Sequence, residues 1–136
     1  MAYPRTPTEE EWNTLSREFP HLTRNSVMVT DGATLTYNCI AWALGYTDRW
    51  INPPNPIANF NNCFLSGSPR GYTQELAALN PHATCDGFGH SDNDLTHASR
   101  KDSDRWSSKL GPYLCITHNR QGLNGATYGQ VLVSYN

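Results

Sequence analysis

The sequence predicts an α+β protein in which helices come first and an antiparallel sheet follows. Two observations support this class. The first half carries apolar stretches with helical spacing, one beginning after Thr8 and one at Cys39. The last third carries short runs rich in strand-forming residues, separated by turn residues. Segregation of helices and strands is typical of α+β domains. At 136 residues the chain is expected to form one domain, residues 1–136, with a single core.

The first predicted helix follows Thr8, which can cap it. Glu11 stands three residues further on, as in a capping box, and acidic residues fill the first turn. Leu15 and Phe19 belong to its apolar stripe, and Pro20 ends it. We therefore expect one face of this helix to pack against the rest of the domain.

A second helix is predicted in LTYNCIAWALG, residues 35–45. It follows Asn38, ends at Gly45 and is apolar on every side, which indicates a helix buried all round. Before it, SVMVTDGATLTY predicts a hairpin around Asp31 and Gly32, a strong turn dipeptide.

The remaining segments are assigned by composition and alternation. Residues 47–71 are rich in Pro and Asn and predict a loop, residues 72–81 a short helix capped by Thr73, and residues 85–94 a polar, Gly-rich loop. Strands are then predicted at residues 95–100, 105–111, 113–118 and 127–135.

Charge and hydropathy exclude several classes of function. The net charge is −2 and there is no basic tract, so a nucleic-acid partner is not expected. No apolar run approaches the roughly 18 residues that span a membrane, and the N-terminus lacks a secretory signal. The protein is therefore expected to be cytoplasmic as synthesised, with delivery elsewhere by another route left open, and to have no membrane partner.

The four cysteines form no CxxC pair, which argues against a zinc ribbon or a redox dithiol. They are Cys39, Cys63, Cys85 and Cys115. We expect them to be reduced and mostly in the core.

Cys39 is the candidate nucleophile because it stands at a helix N-terminus, where unpaired N–H groups favour a thiolate. Tyr37 and Asn38 precede it and are candidate oxyanion donors. A cysteine nucleophile needs a base, usually a histidine. Of the five histidines His97 is preferred, because a strand would hold it rigidly; His118, at the end of a strand, is not selected.

Ser108 is the candidate third residue. If residues 101–104 form a hairpin loop, paired positions sum to about 205 and His97 faces Ser108, which could then fix the tautomer of His97. Asn, Asp, Gln or His is the usual residue in this role, so Asp94, Asn119, the backbone or a water remain alternatives. Alternation puts Trp106 on the face of Ser108, as a wall of the cleft, and Lys109 on the other face.

The order of these residues resembles that of the papain-like cysteine hydrolases. The motif YNCIAWALG and the histidine of THASR on a late antiparallel sheet are most similar to bacterial cell-wall peptidases of the NlpC type. The resemblance implies a papain-like fold, with the nucleophile helix packed on a C-terminal sheet. It also implies a cysteine peptidase, amidase or acyltransferase, with Cys39 as nucleophile and His97 as base, acting on a peptide, amide or acyl substrate without a cofactor. That type usually has Asp-Cys-Ser-Gly where this chain has Asn-Cys-Ile-Ala.

Two other classes of function remain open. His82, Cys85, His90, Asp92 and Asp94 fall within 13 positions and could include a zinc site, although their spacing fits no familiar pattern and no metal is expected.

The other class is a binding or inhibitory module without chemistry. In such a module aromatic residues of the long loops would form a recognition surface. These residues are Trp50, Phe60, Phe64 and Phe88.

Overall fold

One antiparallel sheet organises the protein in the computed structural model, which describes residues 2–136. The helices of that part of the chain are α1 (Glu9–Glu18), α2 (Cys39–Leu44) and α3 (Ile57–Leu65), with a 3₁₀ turn at Arg24–Ser26. Its strands are β1 (Val29–Asp31), β2 (Glu75–Leu76), β3 (Cys85–Ser91), β4 (Asp94–Asp102), β5 (Arg105–Lys109), β6 (Cys115–His118) and β7 (Gln130–Tyr135). This mixture of helices with an antiparallel sheet confirms the α+β class.

The strand order across the sheet is β1-β6-β5-β4-β3-β7-β2. A hydrophobic cluster covers each face. The cluster on one face, here called the α1 face, contains Leu15, Phe19, Phe88, Ile116, Leu123 and Val131. The cluster on the opposite face, the α2 face, contains Cys39, Ile40, Phe60, Phe64, Ala98 and Tyr135. The sheet therefore lies between α1 and the pair formed by α2 and α3.

Both predicted helices at residues 8–20 and 35–45 are confirmed. Thr8 and Glu11 form a complete capping box on α1. Arg5 donates to Glu11 over 2.7 Å, and this bond is the main cause that lowers the pKa of Glu11 to about 2. In α2 the side chain of Asn38 accepts from the N–H of Ala41.

The C-terminal strands are confirmed with small changes of boundary, whereas three other predictions are wrong. The segment 47–71 contains α3, because Phe60 and Phe64 lie one turn apart and both enter the core. The segment 85–94 forms strand β3, paired on both sides, and Gly87 gives Phe60 room to pack. The segment 72–81 forms β2 instead of a helix, because Glu75 and Leu76 pair with β7.

The predicted hairpin around Asp31 and Gly32 is also wrong. β1 pairs with β6, which lies about 85 residues further along the chain. The carboxylate of Asp31 instead accepts from the N–H of Gly32 and from the hydroxyl of Tyr37. Long-range pairing has therefore prevailed over a favourable local turn.

Candidate active site

The thiol of Cys39 lies at the start of α2 among backbone N–H groups. Burial is the main influence on this thiol and raises its pKa to about 11. The N–H groups of Ala98, Ile40 and Cys39 itself act in the opposite direction by hydrogen bonding to the sulfur. Only 7% of Cys39 is exposed. The thiol is therefore protonated in the resting protein at neutral pH.

The N–H of Ala98 is available to the sulfur because the pairing of β4 with β5 stops early. The paired residues run from Asp102 with Arg105 to Arg100 with Ser107. If the pairing of β4 with β5 continued by one more hydrogen-bonded pair, Ala98 would lie opposite Lys109. That pair does not form. The carbonyl of Lys109 accepts from Gly111 instead. Cys39 therefore lies where β4 and β5 separate.

His97 is fully buried next to this point. Its ring stacks on Tyr128, with 3.9 Å between the ring centroids, and meets Phe88 edge-on. Its Nε2 lies 3.0 Å from the Oγ of Ser108, whereas its Nδ1 has no hydrogen-bond partner among the described residues. Burial lowers the pKa of His97 well below its ordinary value, and a charge on His118 would lower it further. The ring is therefore neutral at pH 7.

The expected contact between His97 and Ser108 is present, although the predicted register is wrong. Paired positions sum to 207, because the turn contains only Ser103 and Asp104 between the two strands. His97 therefore reaches Ser108 diagonally. A shift of two residues keeps each side chain on its predicted face, because the period of a strand is two.

Cys39 and His97 belong to opposite faces of the sheet. His97 contacts Phe88 of the α1 face, whereas its neighbour Ala98 packs with Cys39 on the α2 face. No hydrogen bond joins the Cys39 sulfur to the His97 ring. Two residues lie between these groups. Ala98 follows His97 in β4 and packs with Cys39, and Tyr128 stacks on the ring of His97. Burial raises the pKa of the Tyr128 hydroxyl, and the charge that Cys39 would carry raises it further.

Two residues that the sequence analysis did not select complete this cluster. The Nε2 of His118 lies 2.8 Å from the Oγ of Ser108, and its Nδ1 lies 2.9 Å from the carbonyl oxygen of Asn119. Burial lowers the pKa of His118 to about 4. One feature of the sequence could have indicated His118. It lies on β6, the strand that follows β5 with Ser108, and neighbouring strands bring their side chains together.

Lys109 is the second of these residues. Its side chain lies on the face opposite that of Ser108, as predicted, but this α2 face is also the face of Cys39, so Lys109 lies on the side of the candidate nucleophile. The Lys109 ammonium donates to the carbonyls of Thr34 and Gly111, and it lies 5.0 Å from the ring of Tyr37. Burial lowers the pKa of Lys109, and its charge in turn lowers that of Cys39.

The three predicted substrate-side residues are not gathered around the thiol. The side chain of Asn38 is occupied by the N–H groups of Ala41 and Ile51 and the carbonyl of Ile51, so Asn38 holds backbone instead of offering a free donor. The hydroxyl of Tyr37 donates to Asp31. The guanidinium carbon of Arg120 lies 4.5 Å from the ring centroid of Trp106. Trp106 therefore packs against Arg120 and does not line a cleft at Cys39.

A pocket of about 340 Å³ lies beside α2. Its lining includes Tyr37, Trp42, Arg100, Arg105 and Ser107, but neither Cys39 nor His97. The guanidinium carbon of Arg100 lies 3.3 Å from the ring centroid of Trp42. The pocket therefore borders α2 without reaching the sulfur of Cys39.

The other predicted features are placed as follows. Cys39, Cys63, Cys85 and Cys115 are free thiols. Among residues 2–136, no group of three or more His, Cys, Asp or Glu side chains is arranged to hold a metal ion. In the same part of the chain, no helix has the length and apolar character needed to cross a membrane.

The fold and the site define a class of protein: an α+β domain in which a cysteine and two histidines are buried where two strands separate. The chain belongs to the family described as a domain of unknown function, DUF7689, whose model matches residues 28–136. This match covers every strand, α2, α3 and the whole cluster, and leaves out α1. Neither a curated protein nor a solved structure matches the chain significantly.

Proposed function

We propose that this protein is a cysteine-dependent acyl-transfer enzyme with a papain-like arrangement, a peptidase, amidase or acyltransferase in which Cys39 is the nucleophile and His97 the base. One observation carries the proposal. The Cys39 thiol lies beside the N–H of Ala98, the residue after His97, which lowers the thiol pKa, while the Nδ1 of His97 is buried without a hydrogen-bond partner among the described residues. The thiol thus approaches the strand residue next to the one that carries the unpartnered nitrogen, in a site from which water is largely excluded.

The reaction starts from a neutral pair, because burial raises the pKa of Cys39 and lowers that of His97. The resting structure holds the two groups on opposite faces of the sheet, so the reaction requires β4 to move at Ala98 until the thiol and the Nδ1 of His97 meet. The Nδ1 of His97 then takes the thiol proton as the sulfur forms a bond to the carbonyl carbon of the substrate. The N–H groups of Cys39, Ile40 and Ala98 are the available donors for the developing negative charge. Collapse breaks the bond to the leaving group, which receives the proton from His97 and leaves a thioester.

The second half-reaction returns the enzyme to its starting state. Water or an amine gives a proton to His97 and attacks the thioester carbonyl, the bond to sulfur breaks, and the released Cys39 thiolate takes the proton back from His97. Water as acceptor makes the enzyme a hydrolase, and an amine makes it a transferase. Since only 7% of Cys39 is exposed, substrate reaches the sulfur only after neighbouring segments move.

The proposal is tested by acylation with p-nitrophenyl acetate, read by intact mass and peptide mapping. We expect acetylation of Cys39, removal of the acetyl group by neutral hydroxylamine, and loss of the label in Cys39→Ser. His97→Gln should slow both formation and release of the acetyl-enzyme by at least about 100-fold, the low end of the contribution of general acid–base catalysis. Cys63→Ser is the matched control, because Cys63 is a free and more exposed thiol.

Acetylation that distributes over Cys63 and other nucleophiles at the same rate in His97→Gln would contradict the enzyme. A thioester that forms on Cys39 but never turns over would leave only a reactive core thiol, and it too would overturn the proposal.

A binding module is the second candidate. Phe60, Phe64 and Phe88, expected on a recognition surface, are instead buried in the core. The observation that still favours binding is the exposure of Leu35 and Trp50, at 77% and 43%. Both lie close in sequence to residues held by Lys109 and Asn38 beside the nucleophile helix. This function predicts no acyl-enzyme under any condition of the test above.

A further inference from the structure

The hydrogen bonds between His97, Ser108 and His118 form a chain whose direction can be read from one end. The Nδ1 of His118 lies 2.9 Å from the backbone carbonyl oxygen of Asn119. A carbonyl oxygen can only accept, so the Nδ1 of His118 carries the proton. A neutral imidazole has one N–H, and its other nitrogen is an acceptor. The Nε2 of His118 therefore carries a lone pair and accepts a hydrogen bond.

The same reasoning passes through the serine. The Nε2 of His118 lies 2.8 Å from the Oγ of Ser108, and because this nitrogen accepts, the hydroxyl hydrogen of Ser108 points towards it. A serine hydroxyl has one hydrogen, so its remaining bond, the 3.0 Å contact with the Nε2 of His97, must be received by the oxygen. The Nε2 of His97 therefore carries the proton of that ring.

The hydrogen-bond chain ends at the Nδ1 of His97, which carries a lone pair and no proton. It is buried and has no hydrogen-bond partner among residues 2–136. A buried N–H without an acceptor is rarer in proteins than an under-satisfied acceptor, so this tautomer is also the less costly one. All three side chains are buried, with Ser108 and His97 fully inaccessible and His118 4% exposed, so bulk water does not compete for these bonds.

We propose that His118 is a positioning residue that acts through Ser108 to hold His97 in the Nε2–H tautomer, with Nδ1 free to accept a proton. Its value for catalysis rests on the proposed function, in which this nitrogen receives the proton of the Cys39 thiol. The tautomer itself is a property of the resting protein. It can therefore be measured whether or not an acyl-enzyme forms.

The arrangement makes a specific prediction for His118→Phe. Without the lone pair of His118, the hydroxyl of Ser108 has one remaining acceptor in the chain, the Nε2 of His97. The hydroxyl then turns and donates to this nitrogen, and the proton of the ring moves to Nδ1. We expect the tautomer of His97 to change from Nε2–H to Nδ1–H, with the ring still neutral.

The measurement is two-dimensional long-range ¹H–¹⁵N correlation on protein labelled with ¹⁵N-histidine. The pattern of cross-peaks and the separation of the two ring ¹⁵N shifts distinguish the tautomers. Wild type should show Nε2–H at His97 and Nδ1–H at His118. His118→Gln is the matched control, since its side-chain oxygen can accept from Ser108 and should preserve the Nε2–H tautomer of His97.

Three results would overturn the proposal: a wild-type His97 in the Nδ1–H tautomer, a wild-type His118 in the Nε2–H tautomer, or an unchanged His97 in a folded His118→Phe. If His118→Phe does not fold, the two wild-type signals still decide the proton order. Ser108→Ala then supplies the second variant, in which the preference of His97 for Nε2–H should weaken.

Activity separates this proposal from the enzyme itself. If p-nitrophenyl acetate acylates Cys39, the rate of acylation should fall in His118→Phe by at least about tenfold and recover in His118→Gln. If the wild type forms no acyl-enzyme but shows the predicted tautomers, the enzyme fails while the proton order stands.

Discussion

At the scale of single residues, burial decides the chemistry of the cluster. Cys39, His97 and His118 are each almost fully inaccessible, and in each the charged form is disfavoured. The thiol and the imidazole are therefore both neutral in the resting protein, unlike a thiolate–imidazolium pair. Lys109 is a charged group whose field acts on Cys39, and it is held by backbone carbonyls instead of a carboxylate.

This state predicts slow alkylation of Cys39. Its pKa of about 11 lies about two units above that of an ordinary thiol, so the thiolate fraction at pH 8 is roughly 100-fold smaller than in the unfolded chain. Iodoacetamide should label the more exposed Cys63 first, and the labelling rate of Cys39 should still rise between pH 9 and 10. The rates are read by peptide mapping at several pH values. Fast, selective labelling of Cys39 at pH 6 would instead establish an ion pair.

At the scale of elements, α2 is held at its N-terminus by one buried side chain. Asn38 caps the helix through Ala41 and also binds both backbone groups of Ile51, so it joins the helix to the following loop. The N-cap of α1, Thr8, is exposed, and its side chain bonds only to the N–H of Glu11 in its own helix. Two N-caps in one chain thus differ in how much structure depends on them.

Replacing each cap by alanine tests this difference. Thr8→Ala should lower the free energy of unfolding by about 1 kcal/mol, the usual value for a lost N-cap. Asn38→Ala should lower it by about 2–3 kcal/mol, because partly buried backbone groups of Ile51 lose their partner as well. Urea unfolding followed by circular dichroism gives both values. Equal losses in the two variants would show that the bonds to Ile51 contribute nothing.

At the scale of the whole molecule, the family match and the folded unit differ. The match begins at residue 28, but Leu15 of α1 and the C-cap residue Phe19 are buried in the cluster on the α1 face with Phe88. His97 lies against that same cluster through Phe88 and Tyr128. Helix α1 therefore covers the side of the sheet on which His97 is buried.

Removal of α1 should consequently expose this face. We expect a protein of residues 28–136 to bind the dye 1-anilinonaphthalene-8-sulfonate and to unfold without a sharp thermal transition. The full chain should bind no dye and should unfold in a sharp transition. Leu15→Ala in the full chain is the milder control and should cost about 2–5 kcal/mol. A truncated protein with the cooperativity of the full chain and no dye binding would refute a structural role for α1.

Local patterns were sufficient for the elements that depend on neighbouring residues. The capping box of α1, the apolar α2 with its cap at Asn38, and the strand that carries His97 could all be predicted from adjacent side chains. The approach of Ser108 to His97 could be predicted as well, despite a register wrong by two, because strand alternation fixes the face of a side chain more firmly than its partner.

The sequence alone determined the α+β class, the candidate nucleophile and the strand of the candidate base, since capping, amphipathicity and alternation are local. Only the tertiary structure decided that β3 lies between β4 and β7, that β4 and β5 part at Ala98, and that Cys39 and His97 belong to opposite faces. It also brought His118 to Ser108. These relations arise from pairing between distant segments and from burial, and no short stretch of sequence carries either.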